Sequence, residues 1–188
     1  MEVMIDLETL STRMNAVVLV IAGIKFDRTK EIKEPEKSDF FYRRIDVASY
    51  DKTHHIDQQT LTWWKYQPTN VYNEAFGDGI VSFAPKGRIS IKQALMEFAR
   101  WFGNSKQIWS NGNTFDIPIL AELYLKFKIP IPWKYYNCRD TRTMYELGKI
   151  DIKSLPQENL HNALYDCWRQ ILGVNLAYNN LFAEKYLT

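Results

Sequence analysis

Cysteine is scarce in this chain of 188 residues, with two in all, Cys138 and Cys167. They have neither the paired spacing of a thiolate metal site nor the density of a disulfide framework, so both read as ordinary thiols suited to a reducing cytoplasm. Long apolar runs are also missing. The longest, "AVVLVIAGI" from Ala16 to Ile24, is half of what a membrane span needs. Charge of one sign is not in excess. A net charge of +2 and a pI near 8.4 neither demand nor exclude a nucleic-acid partner. Repeats, linkers and low-complexity tracts are absent, and a strand-like stretch begins at residue 2, leaving no room for a leader peptide. These absences point to a soluble cytoplasmic protein. What is present is globular usage, 46% hydrophobic and 24% charged, enough for one domain over residues 1–188 with a sizeable core. The aromatic share of 14%, six Trp and eleven Tyr among it, could serve packing or base stacking.

Three strand-like stretches come first: "EVMIDLET", "AVVLVIAGIKF" and "DFFYRRID". The short turn between the first two favours antiparallel hairpins. "QQTLTWWKYQP" reads as a short helix capped by Asp57 and ended by Pro68. "SIKQALMEFARWFG" has an apolar face of Ala94, Leu95, Phe98, Ala99 and Phe102, with Ser90 as cap and Gly103 at its end. Strand and helix then alternate: "QIWSN", "DIPILAELYLKFK", "YYNC", "DTRTMYELG" and the long "HNALYDCWRQILGVNLAYNNLF". This order predicts an α/β fold, a five-stranded mixed sheet with helices on its faces. The charged stretch "DRTKEIKEPEKSD" reads as a solvated, mobile loop between the second and third strands.

Asp6 and Glu8 stand one residue apart inside the apolar first strand. With a side-chain period of two they point to the same face. Buried side by side, two carboxylates repel each other and each pays for lost hydration, so either the pair lies on a solvated edge or a cation sits between them. Two further acids have unusual surroundings. Asp116 stands at a strand-to-helix junction between Phe115 and Ile117, and Asp166 lies among apolar residues of the last helix, five positions after His161. Four acids from three separated segments could meet at the edge of the first strand.

Asp-x-Glu-Thr on a first strand, Phe-Asp opening a helix after a Gly/Asn-rich turn, and His-x-x-x-x-Asp on a C-terminal helix resemble, in that order, the three motifs of the DnaQ-like (DEDDh) 3′-to-5′ exonucleases. The resemblance covers nearly the whole chain. It is closest to the compact phage exonuclease A-like branch, through "TLTWWKYQ", "RDTRT" and His-x-Ala-x-x-Asp-Cys. It implies an RNase H-like fold and release of nucleoside 5′-monophosphates from the 3′ ends of DNA or RNA. The partner it implies is nucleic acid with a free 3′ end, single-stranded or overhanging. It further implies that Asp6, Glu8, Asp116 and Asp166 hold two Mg²⁺ or Mn²⁺ ions, with His161 as general base. Hard oxygen ligands suit those ions, and paired cations suit phosphodiester hydrolysis. A tyrosine branch would carry its tyrosine four residues before the last acid, where this chain has Asn162. The asparagine that many members carry four residues before the third acid is here Gly112, between Asn111 and Asn113.

On substrate contacts, the resemblance implies that Thr9 and Leu10 meet the terminal nucleotide, with Leu10 wedged against its base. Adjacent Trp63 and Trp64 face different sides of their helix, one toward the core and the other available to a base; Trp64 is taken as the contact. The His54–His55 pair is expected on a solvated loop. Arg139 and Arg142 could meet phosphate, while Asp140 is placed to cap the helix that follows. A catalytically silent nucleic-acid-binding module is the competing reading. Four clustered negative charges would gain such a surface nothing.

Overall fold

The computed structural model describes residues 1–30, 35–77 and 87–182. Among them, five strands form one sheet of order β3-β2-β1-β4-β5. The strands are β1 (Glu2–Thr9), β2 (Val18–Phe26), β3 (Phe40–Arg44), β4 (Ile108–Ser110) and β5 (Cys138–Asp140). The first three pair antiparallel, whereas β1 with β4 and β4 with β5 pair parallel. Six helices flank the sheet: α1 (Gln58–Lys65), α2 (Thr69–Phe76), α3 (Ile91–Phe102), α4 (Asp116–Lys126), α5 (Thr141–Gly148) and α6 (Ala163–Phe182). The result is the mixed α/β sheet that the element order predicts, with the RNase H-like architecture that the family resemblance implies.

Because β1 is central, its pleat sorts residues between two cores. Val3, Ile5 and Leu7 join Ile91, Ala94, Leu95 and Phe98 of α3 and Ile117, Leu120 and Leu123 of α4 on one face. Met4 joins Ala163, Cys167, Ile171 and Val174 of α6 on the other, together with Trp64, Val71, Ala75 and Tyr145. Asp6 and Glu8 share the Met4 side, and so lie under α6. Fully buried side chains of this size each contribute about 1.5–3 kcal/mol, which is why β1 is held on both faces. The register slips between Glu8 and Thr9, where Glu8 opposes Val20 but Thr9 opposes Val18. The extra residue is Leu19 on β2, and pairing continues beyond it, Leu10 N donating to the Val17 carbonyl at 2.8 Å.

Helix α3 keeps its expected cap and stop: Ser90 Oγ accepts from Gln93 N at 3.3 Å, and Gly103 takes φ +54°. Helices α5 and α6 touch through missing side chains. A Cβ on Gly148 would stand 2.4 Å from that of Ala177, and one on Gly173 would stand 2.6 Å from the Tyr145 ring. Tyr145 OH also donates to the Gln170 carbonyl at 3.1 Å.

Some boundaries differ from the sequence expectation. Pro68 ends α1 as expected, but it also leads directly into α2, for which its fixed φ suits the residue before a first turn. Tyr135–Asn137 is a 3-10 turn, and β5 starts at Cys138 and runs straight into α5 because Asp140 is at once its last residue and the helix cap. Helix α6 begins at Ala163 rather than His161, because Asn162 Oδ1 caps it, accepting from Leu164 N and Tyr165 N at 3.2 and 3.3 Å. Residues 31–34 of the charged loop lie outside the described residues.

Candidate active site

Three segments meet at the C-terminal end of β1, whereas the sequence suggests a meeting at its edge. One oxygen each from Asp6, Glu8 and Asp166 lies within 4.8 Å of the others. Asp166 is on the first turn of α6, which crosses the sheet face that carries Asp6 and Glu8. Asp116 comes from the opposite layer, as the first residue of α4. It lines the same cleft, with its Oδ1 drawn back onto the backbone N–H of Leu7 at 3.1 Å. The cleft has a volume of about 730 Å³ and takes in all four acids and His161.

Each carboxylate is oriented differently. The His161 N–H donates to Asp166 Oδ2 at 2.8 Å, and the Gln170 amide Nε2 donates to Asp6 Oδ1 at 2.9 Å. Glu8 is 8% exposed, and its Oε1 is buried without a hydrogen-bond partner. Among the described residues no lysine or arginine forms an ion pair with any of the four.

Electrostatics follow from that crowding. Burial pushes the Asp6 carboxyl well above the usual carboxylate range, and the charges of Asp116, Glu8 and Asp166 push it further. Glu8 is raised likewise, by burial first and then by Asp166 and Asp116. Asp116 is raised to about 7 by burial, against the opposing pull of the Leu7 N–H. Asp166 is also raised by burial, while the His161 N–H opposes it. A compact site with an orphaned buried carboxylate oxygen and acids that resist ionising fits hard divalent cations, which would supply the missing partner.

His161 stands in the loop before α6 with φ +65°, exposed, its ring edge-to-face on Trp63 at 4.9 Å. The five-residue offset turns a helix by about 140°, and the non-helical backbone at His161 is what brings the residue to the cleft beside Asp166.

The substrate contacts expected from sequence are only partly brought together. Thr9 lines the cleft. Leu10, expected to wedge against a base, is 3% exposed and packed in the α6-side core, away from the cleft wall. It continues the two-residue period of Met4, Asp6 and Glu8 and ends that face in the core, its N–H donating to the Val17 carbonyl at 2.8 Å. Trp64 lines the cleft but is a core residue, 1% exposed, its indole N–H donating to the Thr9 carbonyl at 2.9 Å. The open indole is that of Trp63, 42% exposed. Gly112 takes φ +104°, and its N–H meets Asp140 Oδ1 at 3.0 Å; Asn111 beside it lines the cleft and Asn113 is exposed. Asp140 caps α5 through Arg142 N and Thr143 N. Arg139 folds onto the Tyr136 and Cys138 carbonyls, whereas Arg142 lines the cleft. His54 is buried, not solvated: its Nδ1 lies 3.0 Å from Asp51 and 3.2 Å from Lys126 Nζ, tying the loop after β3 to the end of α4.

Gln170 and Arg169 escaped the sequence reading, although both line the cleft. The signal was helical spacing, since residues three and four positions after Asp166 fall on its face.

An RNase H-like sheet with acids gathered at the end of its first strand defines a class of α/β fold, and comparison with known proteins narrows it. A family model of the 3′-5′ exoribonuclease Rv2179c-like domain matches residues 1–176, and the chain belongs to that family. The exodeoxyribonuclease of Enterobacteria phage T4 is 25% identical over 206 residues, covering 92% of this chain and 87% of the phage protein. The chain is a 3′-to-5′ exonuclease acting on nucleic acid.

Proposed function

We propose that the protein hydrolyses single strands or 3′ overhangs one nucleotide at a time, using two Mg²⁺ or Mn²⁺ ions held by Asp6, Glu8, Asp116 and Asp166, and releases nucleoside 5′-monophosphates. The observation that carries this reading is the convergence of the acids, with one buried Glu8 oxygen lacking any partner. When bound, the ions supply Lewis acidity toward the scissile phosphate and the attacking water. The chain's own groups do the rest. The His161 imidazole removes the proton of the water, Trp63 offers an open indole to the terminal base, and Arg142 offers positive charge to phosphate on the α5 side of the cleft. An unpaired base reaches such a platform without the cost of opening a duplex, about a few kcal/mol, which favours single strands.

The family's description names RNA and the phage relative's name says DNA, and both sugars fall within the proposal. The cytoplasm is its proposed place of work, a reading supported by two free thiols, Cys138 and Cys167. Among the described residues no helix is long and apolar enough to cross a membrane. The test is digestion of 3′- and 5′-labelled DNA and RNA oligomers with Mg²⁺, Mn²⁺ or EDTA. A ladder shortening from the 3′ end, abolished by EDTA, is expected; full activity in EDTA would remove the cations from the reading.

A further inference from the structure

Of the four acids, Asp116 and Asp166 are oriented by backbone N–H groups, those of Leu7 and His161. Asp6 is oriented by a side chain, the Gln170 amide, whose Nε2 donates to Oδ1 at 2.9 Å. We propose that Gln170 is a positioning residue for cation binding, fixing the Asp6 carboxylate so that its free oxygen faces the cleft beside Glu8 and Asp166. This inference rests on the reading of Asp6 as a metal ligand.

Three observations carry it. Gln170 is 3% exposed and one helical turn after Asp166, so a single helix supplies both a ligand and the donor that orients a second ligand on β1. Its orientation is fixed by chemistry, because an amide presents a donor on one side and an acceptor on the other. Turned over, its oxygen would confront Asp6. As it stands, that oxygen, Oε1, is buried without a partner while Nε2 is satisfied. Finally, the helix itself is held in place. Tyr145 OH binds the Gln170 carbonyl, and the Tyr145 ring fills the space left by Gly173. A neutral donor suits this role: it orients the carboxylate without adding a charge that would compete for the cation.

The experiment is calorimetric titration of the full chain with Mn²⁺ at constant pH, wild type beside Gln170→Met and Gln170→Leu, with thermal melts in EDTA and single-strand digestion at rising Mn²⁺. Loss of a group that orients a ligand costs about 10- to 100-fold in metal affinity. The expected result is a weakening of that order in Mn²⁺ binding for both variants. Their melting points in EDTA should stay near wild type, and their digestion rate should recover substantially at saturating Mn²⁺. Wild-type Mn²⁺ affinity in either folded variant overturns the proposal. A rate that stays low at every Mn²⁺ concentration with unchanged binding also overturns it, assigning Gln170 a role outside cation binding. Failure of the wild type itself to bind Mn²⁺ would instead remove the metal reading of Asp6.

Discussion

Single residues carry the electrostatic side of this account. Asp116 lies under a backbone donor yet is raised to about 7 by burial, so in the cation-free protein its ionisation costs folding free energy. The sign is definite. A carboxyl whose folded value lies above its unfolded one binds protons more tightly when folded, so its contribution to stability is present below about pH 4 and is lost as pH rises through about 7. In EDTA, Asp116→Asn should therefore melt at or above wild type, and the gap should widen from pH 5 to pH 8 by about 2–4 °C for each kcal/mol of strain relieved. Saturating Mg²⁺ should reverse the order, because only the wild type gains the ion. A fall of many degrees for the variant in EDTA would mean that the carboxylate holds the fold. Asp116→Asn, Asp6→Asn and Asp166→Asn should each abolish turnover while keeping the fold. For His161→Ala the expected loss in rate is about 10² to 10⁴, with Mn²⁺ affinity unchanged by calorimetry; an unchanged rate would take His161 out of the reaction.

At the scale of elements, the sequence showed which segments would meet but not how closely. The two-residue period of β1, the apolar face of α3 and the offset between His161 and Asp166 could all be read from spacing. The buried state of His54, the burial of Leu10 and the exchange of roles between Trp63 and Trp64 could not, because they depend on long-range partners. The close contact of α5 and α6 was similarly hidden, since a glycine reads as a turn until the facing residue is known. It has a measurable consequence. Gly173→Ala would drive a methyl into the Tyr145 ring and Gly148→Ala another into Ala177, so each should cost about 1–3 kcal/mol of stability in denaturant unfolding. Because α6 carries both Asp166 and Gln170, loss of Mn²⁺ affinity should accompany the loss of stability. Unchanged stability in both variants would show that the helices separate freely.

At the scale of the whole molecule, elements from both faces of the sheet close on one site. The acids sit where β1 runs out, and the cleft beyond them is walled by α1 with Trp63 and by the loop bearing His161. A terminal nucleotide can fill such a space with its phosphate against the acids. On the proposed reading it is a chain end, not a continuing strand, that enters there. Digestion of a circular single strand beside its linear form, in Mg²⁺ and at equal concentration, therefore tests the account most directly. The linear strand should be consumed from its 3′ end to nucleoside 5′-monophosphates while the circle stays intact; cleavage of the circle at a comparable rate would show an endonuclease and contradict a site built for a free 3′ end.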